Sequence, residues 1–77
     1  MTRSLYDRRY EHFRRLLIEA RRAAAVTQQD LAKRLRRPQS FVSKFERGER
    51  RLDVIEFLEV AEAVGFDPCQ ILSEIKH

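Results

Sequence analysis

Cysteine occurs once in these 77 residues, at position 69, so no disulfide framework can form within the chain. A single thiol of this kind points to a reducing compartment, the cytoplasm. No apolar run approaches the roughly 18 residues of a membrane-spanning helix. The opening residues Met1-Thr2-Arg3-Ser4-Leu5-Tyr6-Asp7 lack the apolar block of a secretion signal. Glycine stands only at positions 48 and 65, which excludes a glycine-rich phosphate loop. His12 and His77 are far apart, and no His/Cys cluster has metal-ligand spacing. No HExxH and no serine in a nucleophile context is present. The chain is therefore expected to be no enzyme and to need no metal or cofactor. No segment alternates like a strand, and there is no repeat or low-complexity tail. A chain this short makes one domain, residues 1–77, with a modest core that often leans on a partner chain.

Acids are scarce where bases are dense. Residues 1–52 hold 15 of the 16 Lys and Arg but 6 of the 12 Asp and Glu, a balance of +9. Residues 53–77 hold Lys76 alone against six acids, a balance of −5. That polarity favours a polyanion on one part of the surface. Arg outnumbers Lys by 13 to 3, which suits forked contacts to phosphate or guanine.

The periodicity predicts five helices. The first starts near Asp7, a good N-cap, and runs to about Ala24, with Phe13, Leu17, Ala20 and Ala24 on its apolar face and Leu16 flanking. Thr27 and Asp30 form a capping box for the second, whose stripe is Leu31, Ala32 and Leu35. Arg36, Arg37 and Pro38 break the pattern. The third helix spans about residues 39–47, with Val42 and Phe45 inward and Gly48 as its stop. Asp53 and Glu56 cap the fourth, which should bury Val54, Ile55, Leu58, Ala61 and Val64 and end at Gly65. Asp67 caps the fifth, Pro68 opens it, and Ile71, Leu72 and Ile75 form its apolar face.

Helix, tight corner, helix is the arrangement that lets a second helix enter a major groove while the first crosses its mouth. Gln39 and Ser40 open the third helix, and Ser43 and Lys44 follow one turn later, away from Val42 and Phe45. The amide of Gln39 suits adenine N6 and N7, Lys44 suits guanine O6 and N7, and Ser40 suits a base or a phosphate. Four polar residues on a solvated face are the plainer reading. Gln28, at the start of the second helix, can hold a phosphate beside free backbone N–H groups, or simply face solvent. Ser43 on the third helix, with Arg36, Arg37, Arg50 and Arg51 on either side of it in sequence, are further phosphate-contacting candidates. Phe41 has two open roles: touching a thymine methyl group, or shielding the junction with the following linker, which is preferred.

The combination Thr27-Gln28, Leu31-Ala32, Gln39-Ser40, Val42-Ser43, Glu46-Arg47-Gly48 and residues 61–65, with Arg21 seven residues before Gln28, resembles the lambda-repressor-like helix-turn-helix family of the Cro/C1 or XRE type. The likeness covers about residues 13–72. It implies an all-α, compact five-helix DNA-binding domain with its motif at about residues 27–47. It implies a transcriptional regulator that binds double-stranded DNA as a homodimer on a palindromic operator; a repressor is expected, although activators share the same reading helix. On the matching positions, Gln28 contacts phosphate, Gln39, Ser40 and Lys44 read bases, and Arg21 and Glu46 form a structural salt bridge. The dimer interface would come from the fourth and fifth helices, with Phe66, Ile71, Leu72 and Ile75 as candidates. An antitoxin or phage-control module, whose main partner is another protein, is the alternative. Ala25 and Arg36 depart from the family's frequent glycines at the two corners, and Pro38 stands where a Ser or Thr cap is common.

Overall fold

The computed structural model describes residues 3–76, with side chains from Arg8 onward. Met1, Thr2 and His77 lie outside the described residues. Among the described residues there are five helices and no strand: α1 (Arg3–Ala23), α2 (Gln28–Leu35), α3 (Gln39–Glu46), α4 (Val54–Val64) and α5 (Pro68–Ile75).

The helix starts follow short-range chemistry. The Thr27 hydroxyl accepts from the Asp30 N–H at 3.0 Å, and the Asp30 carboxylate accepts from the Thr27 N–H at 3.1 Å. That bond to the backbone holds the Asp30 carboxyl below its usual range. Asp53 and Glu56 make the same reciprocal pair at 2.7 and 3.0 Å. Asp67 accepts from the Cys69 N–H at 2.9 Å, with Pro68 in the first turn. Two uncapped donors at a helix start would otherwise be left to solvent, so each box stabilises its helix by about 1 kcal/mol. Pro38 sits at the N-cap of α3 and gives no side-chain cap. One expected start moves: α1 is already helical at Arg3, so Asp7 lies inside the helix and is not its N-cap.

The core gathers Phe13 and Leu17 of α1, Val26 of the corner that follows it, Leu31 and Ala32 of α2, Phe41, Val42 and Phe45 of α3, Phe57, Val60 and Val64 of α4, and Ile71 of α5. The Phe13 ring meets Phe57 edge-on with centroids 5.1 Å apart, which ties the first helix to the fourth. α1 packs against α3 and α5, and α2 against α3 and α4. At 21 residues it would be about 31 Å long, most of the molecule's 38 Å long dimension. It is the beam on which the other helices are set.

Packing overturns part of the expected core. Val54, Ile55 and Leu58 are 71%, 63% and 45% exposed; Ala61 and Val64 are buried as expected, and Phe57 and Val60 are buried in place of the other three. α4 is apolar on both of these faces, and the helix turns the one bearing Phe57 toward α2 and α5. Ala24 is exposed just beyond the end of α1, and Leu72 lies outside the core on α5. The buried face of α1 is completed by Arg21.

Candidate nucleic-acid interface

α2 and α3 are separated by three residues, Arg36 to Pro38. The corner is closed by the Arg36 N–H on Lys33 O at 3.1 Å and the Arg37 N–H on Ala32 O at 3.0 Å. The second bond requires Arg36 in the left-handed region, and its φ is +57°. Ala25, at the corner between α1 and α2, has φ +58°. The two corners thus keep the geometry that glycine favours without glycine.

α3 divides sharply by side. Phe41, Val42, Phe45 and Glu46 are buried, and Gln39, Ser40 and Lys44 are exposed on the other flank. Ser43 is half-buried, and its hydroxyl donates to Ser40 O at 3.3 Å. Arg47, one turn beyond Ser43, is exposed on the same flank, paired with Glu49 at 2.9 Å. Arg47 is not among the contact residues expected from the sequence, although its spacing from Ser43 and Lys44 places it on that strip.

Two arginine–carboxylate clusters hold α3. In the first, Arg21 Nε and Nη2 donate to Glu46 Oε2 and Oε1 at 2.7 and 3.0 Å. Arg21 Nη1 also donates to Val26 O at 2.9 Å, and both side chains are buried. Gln28 is half-buried, and its Nε2 donates to Glu46 Oε1 at 2.8 Å. An amide NH2 has two protons, so the one on Glu46 orients the other. Gln28 therefore belongs to this cluster, whatever else it touches.

In the second cluster, Arg50 Nη1 and Nη2 donate to Glu56 Oε1 and Oε2 at 2.9 and 2.7 Å, and Arg37 approaches Glu56 at 3.5 Å. Hydrogen bonds from Arg50, then the Asp53 backbone N–H, hold the Glu56 carboxyl down at about 2. The same pairing raises the Arg50 pKa. The Arg37 and Arg50 guanidiniums lie 4.5 and 4.7 Å from the Phe41 ring centroid. Phe41 is buried and meets Phe45 edge-on at 5.5 Å, which is the shielding role. Arg51 is exposed, with its guanidinium 4.3 Å from the Tyr10 ring centroid, and Arg36 is exposed at the corner. Of the basic candidates, Arg37 and Arg50 are thus aimed by Glu56.

Among the described residues no group of three or more His, Cys, Asp and Glu could hold a metal, and no helix is long and apolar enough to cross a membrane.

Residues 12–72 match the family model for a helix-turn-helix domain. The fold is similar to a solved structure described as an XRE-family like protein from Pseudomonas syringae pv. tomato str. DC3000. The TM-score is 0.93 at 52% identity, covering 97% of this chain and 92% of that one. A search of the curated proteins gave no match. The polar flank of α3, the Arg21–Glu46 fork beneath it and these two likenesses converge: the chain belongs to the helix-turn-helix family of the XRE/Cro type, a class of DNA-binding transcription regulators.

Proposed function

We propose that this protein binds specific double-stranded DNA sequences in the cytoplasm as a homodimer and represses transcription there. The observation that carries this reading is the division of α3. One side is buried and tied to α1 through Glu46, while Gln39, Ser40 and Lys44 stand exposed on the other. A helix whose tilt is fixed and whose outer flank offers an amide, a hydroxyl and an ammonium suits base edges in a major groove. In this reading Gln39, Ser40 and Lys44 read bases. Gln28, Ser43, Arg36, Arg37, Arg50 and Arg51 position the phosphates, and the Arg21–Glu46 pair is structural.

One such helix reaches few base pairs, so two copies about a two-fold axis suit a palindrome with half-sites roughly 34–36 Å apart. The exposed apolar stripe of Val54, Ile55 and Leu58, with Leu72 of α5, supports an interface on that side. Of the other residues considered for it, Ile71 is buried in the core, and Phe66 and Ile75 pack against it. Selection from a randomised duplex pool at moderate salt tests the reading. Enrichment of a palindromic site supports it, and equal affinity for every sequence removes it. Retention of a tight protein partner with no DNA binding would favour the antitoxin or phage-control alternative.

A further inference from the structure

The last carbonyls of a helix have no partner within it, and a buried end must find them elsewhere. At the end of α3 the local turn supplies three. Ser43 O accepts from the Arg47 N–H at 3.0 Å, Lys44 O from the Glu49 N–H at 2.9 Å, and Phe45 O from the Gly48 N–H at 3.2 Å. The carbonyl of Glu46 is met from another helix, by Nη1 of Arg14 on α1. Arg14 Nη2 is meanwhile held by Glu11 Oε2 at 2.9 Å, one turn earlier on α1. Gly48 leaves room for this arm, since a Cβ there would lie 3.3 Å from Arg14 Nε.

We infer that Arg14 is a positioning residue for the DNA-reading helix, a role distinct from phosphate contact; this rests on the reading of α3 given above. Arg14 and Arg21 stand seven residues, two turns, apart on α1 and take Glu46 at different atoms, one at the main-chain carbonyl and the other at the carboxylate. The carboxylate fork alone fixes where one side chain sits. The added hold on the carbonyl fixes the backbone at the same residue, and so the tilt of the helix axis against α1. A cation at this end also opposes the negative pole of the α3 dipole. Geometry of this kind acts on the fit of Gln39, Ser40 and Lys44 to bases together.

The test compares Arg14→Gln and Arg14→Lys with the native chain in titrations against the selected site and against random duplex, over a range of salt. Amide hydrogen exchange is followed on the same proteins. Arg14→Gln should lose affinity for the selected site on the order of tenfold, with a much smaller loss on random duplex. Its salt slope should stay nearly unchanged, and exchange should quicken at the Gly48 and Glu49 amides. Arg14→Lys, which keeps the charge but lacks the fork to hold Glu11 as well, should fall between. A parallel loss on both duplexes, with the salt slope reduced by about 0.9, would make Arg14 a phosphate contact and overturn the inference. A lower melting temperature with unchanged preference would leave it merely structural and also overturn it. If the native chain prefers no sequence, the DNA-reading proposal fails and positioning for reading fails with it. Quickened exchange in that case would retain only the anchoring of the α3 terminus.

Discussion

Two residues, Ala25 and Arg36, sit in the left-handed region at φ +58° and +57°. A non-glycine residue there costs roughly 1–2 kcal/mol, and glycine gives back about 0.4–1 kcal/mol through the freedom of the unfolded chain. Ala25 is exposed and brings no side-chain contact beyond its methyl group, so Ala25→Gly should raise stability by up to about 1 kcal/mol. A thermal melt checks this, and a lower melting temperature would count against the strain account. Gly48 is the converse case. Its φ of +79° and the nearness of Arg14 both oppose a side chain, so Gly48→Ala should destabilise by at least about 1 kcal/mol. Glu56 makes acid sensitivity local. Its folded pKa, about 2, lies below the ordinary carboxylate range because Arg50 and the Asp53 N–H bind the charged form. A depressed folded pKa contributes stability that is present above the unfolded value and is lost as pH falls through the folded one. Denaturant titrations from about pH 6 to about pH 2 should therefore show the native chain losing its advantage over Glu56→Gln as the pH drops. A constant gap would mean that Glu56 contributes through packing alone.

At the scale of the helices, α3 is defined by what grips it. Glu46 lies buried with Arg21 and accepts from Gln28 as well. Glu46→Ala would leave Arg21 as a buried charge without its carboxylate, and loss of one partner from such a pair costs about 3–5 kcal/mol. An exposed acid on α4 such as Glu62 should cost within about 0.5 kcal/mol when replaced by alanine. The two melts together test whether burial decides the difference. Gln39→Ala belongs to the other flank. It should leave the melting temperature nearly unchanged, weaken the selected site by about 1–3 kcal/mol and relax preference at one base pair. Equal weakening on all sequences would move Gln39 from base reading to backbone contact.

Across the whole molecule, charge and apolar surface are separated along the chain. The +9 of residues 1–52 includes the polar helix pair, and the −5 of residues 53–77 includes the helices with the exposed Val54, Ile55, Leu58 and Leu72. A basic side for DNA and an apolar side for a second copy follow from that division in the proposed dimer. Leu58 is 45% exposed, so Leu58→Glu should leave the monomer folded. It should convert a sedimenting dimer to a monomer at micromolar concentration and weaken a palindromic site far more than a half-site. A native chain that is monomeric both free and on DNA would remove the dimer.

The elements of this protein are written in its local sequence. Thr27 with Asp30, Asp53 with Glu56, and Asp67 with Pro68 set helix starts through bonds spanning two or three residues. Neighbouring residues are enough to specify such bonds, and the polar flank of α3 follows from helical spacing alone. Residues close in space but distant in the chain were decided by the tertiary structure. α4 offers Val54, Ile55 and Leu58 on one face and Phe57, Val60 and Val64 on another. Both satisfy a helical period, and only packing chooses between them. Arg14 reaches Glu46 across 32 residues, and its partner there is a main-chain carbonyl, which carries no side-chain identity to read. Arg50 and Arg37 meet on Glu56 around the Phe41 ring. Their charges are visible in the sequence, but their directions arise only when α2, the linker and α4 are brought together.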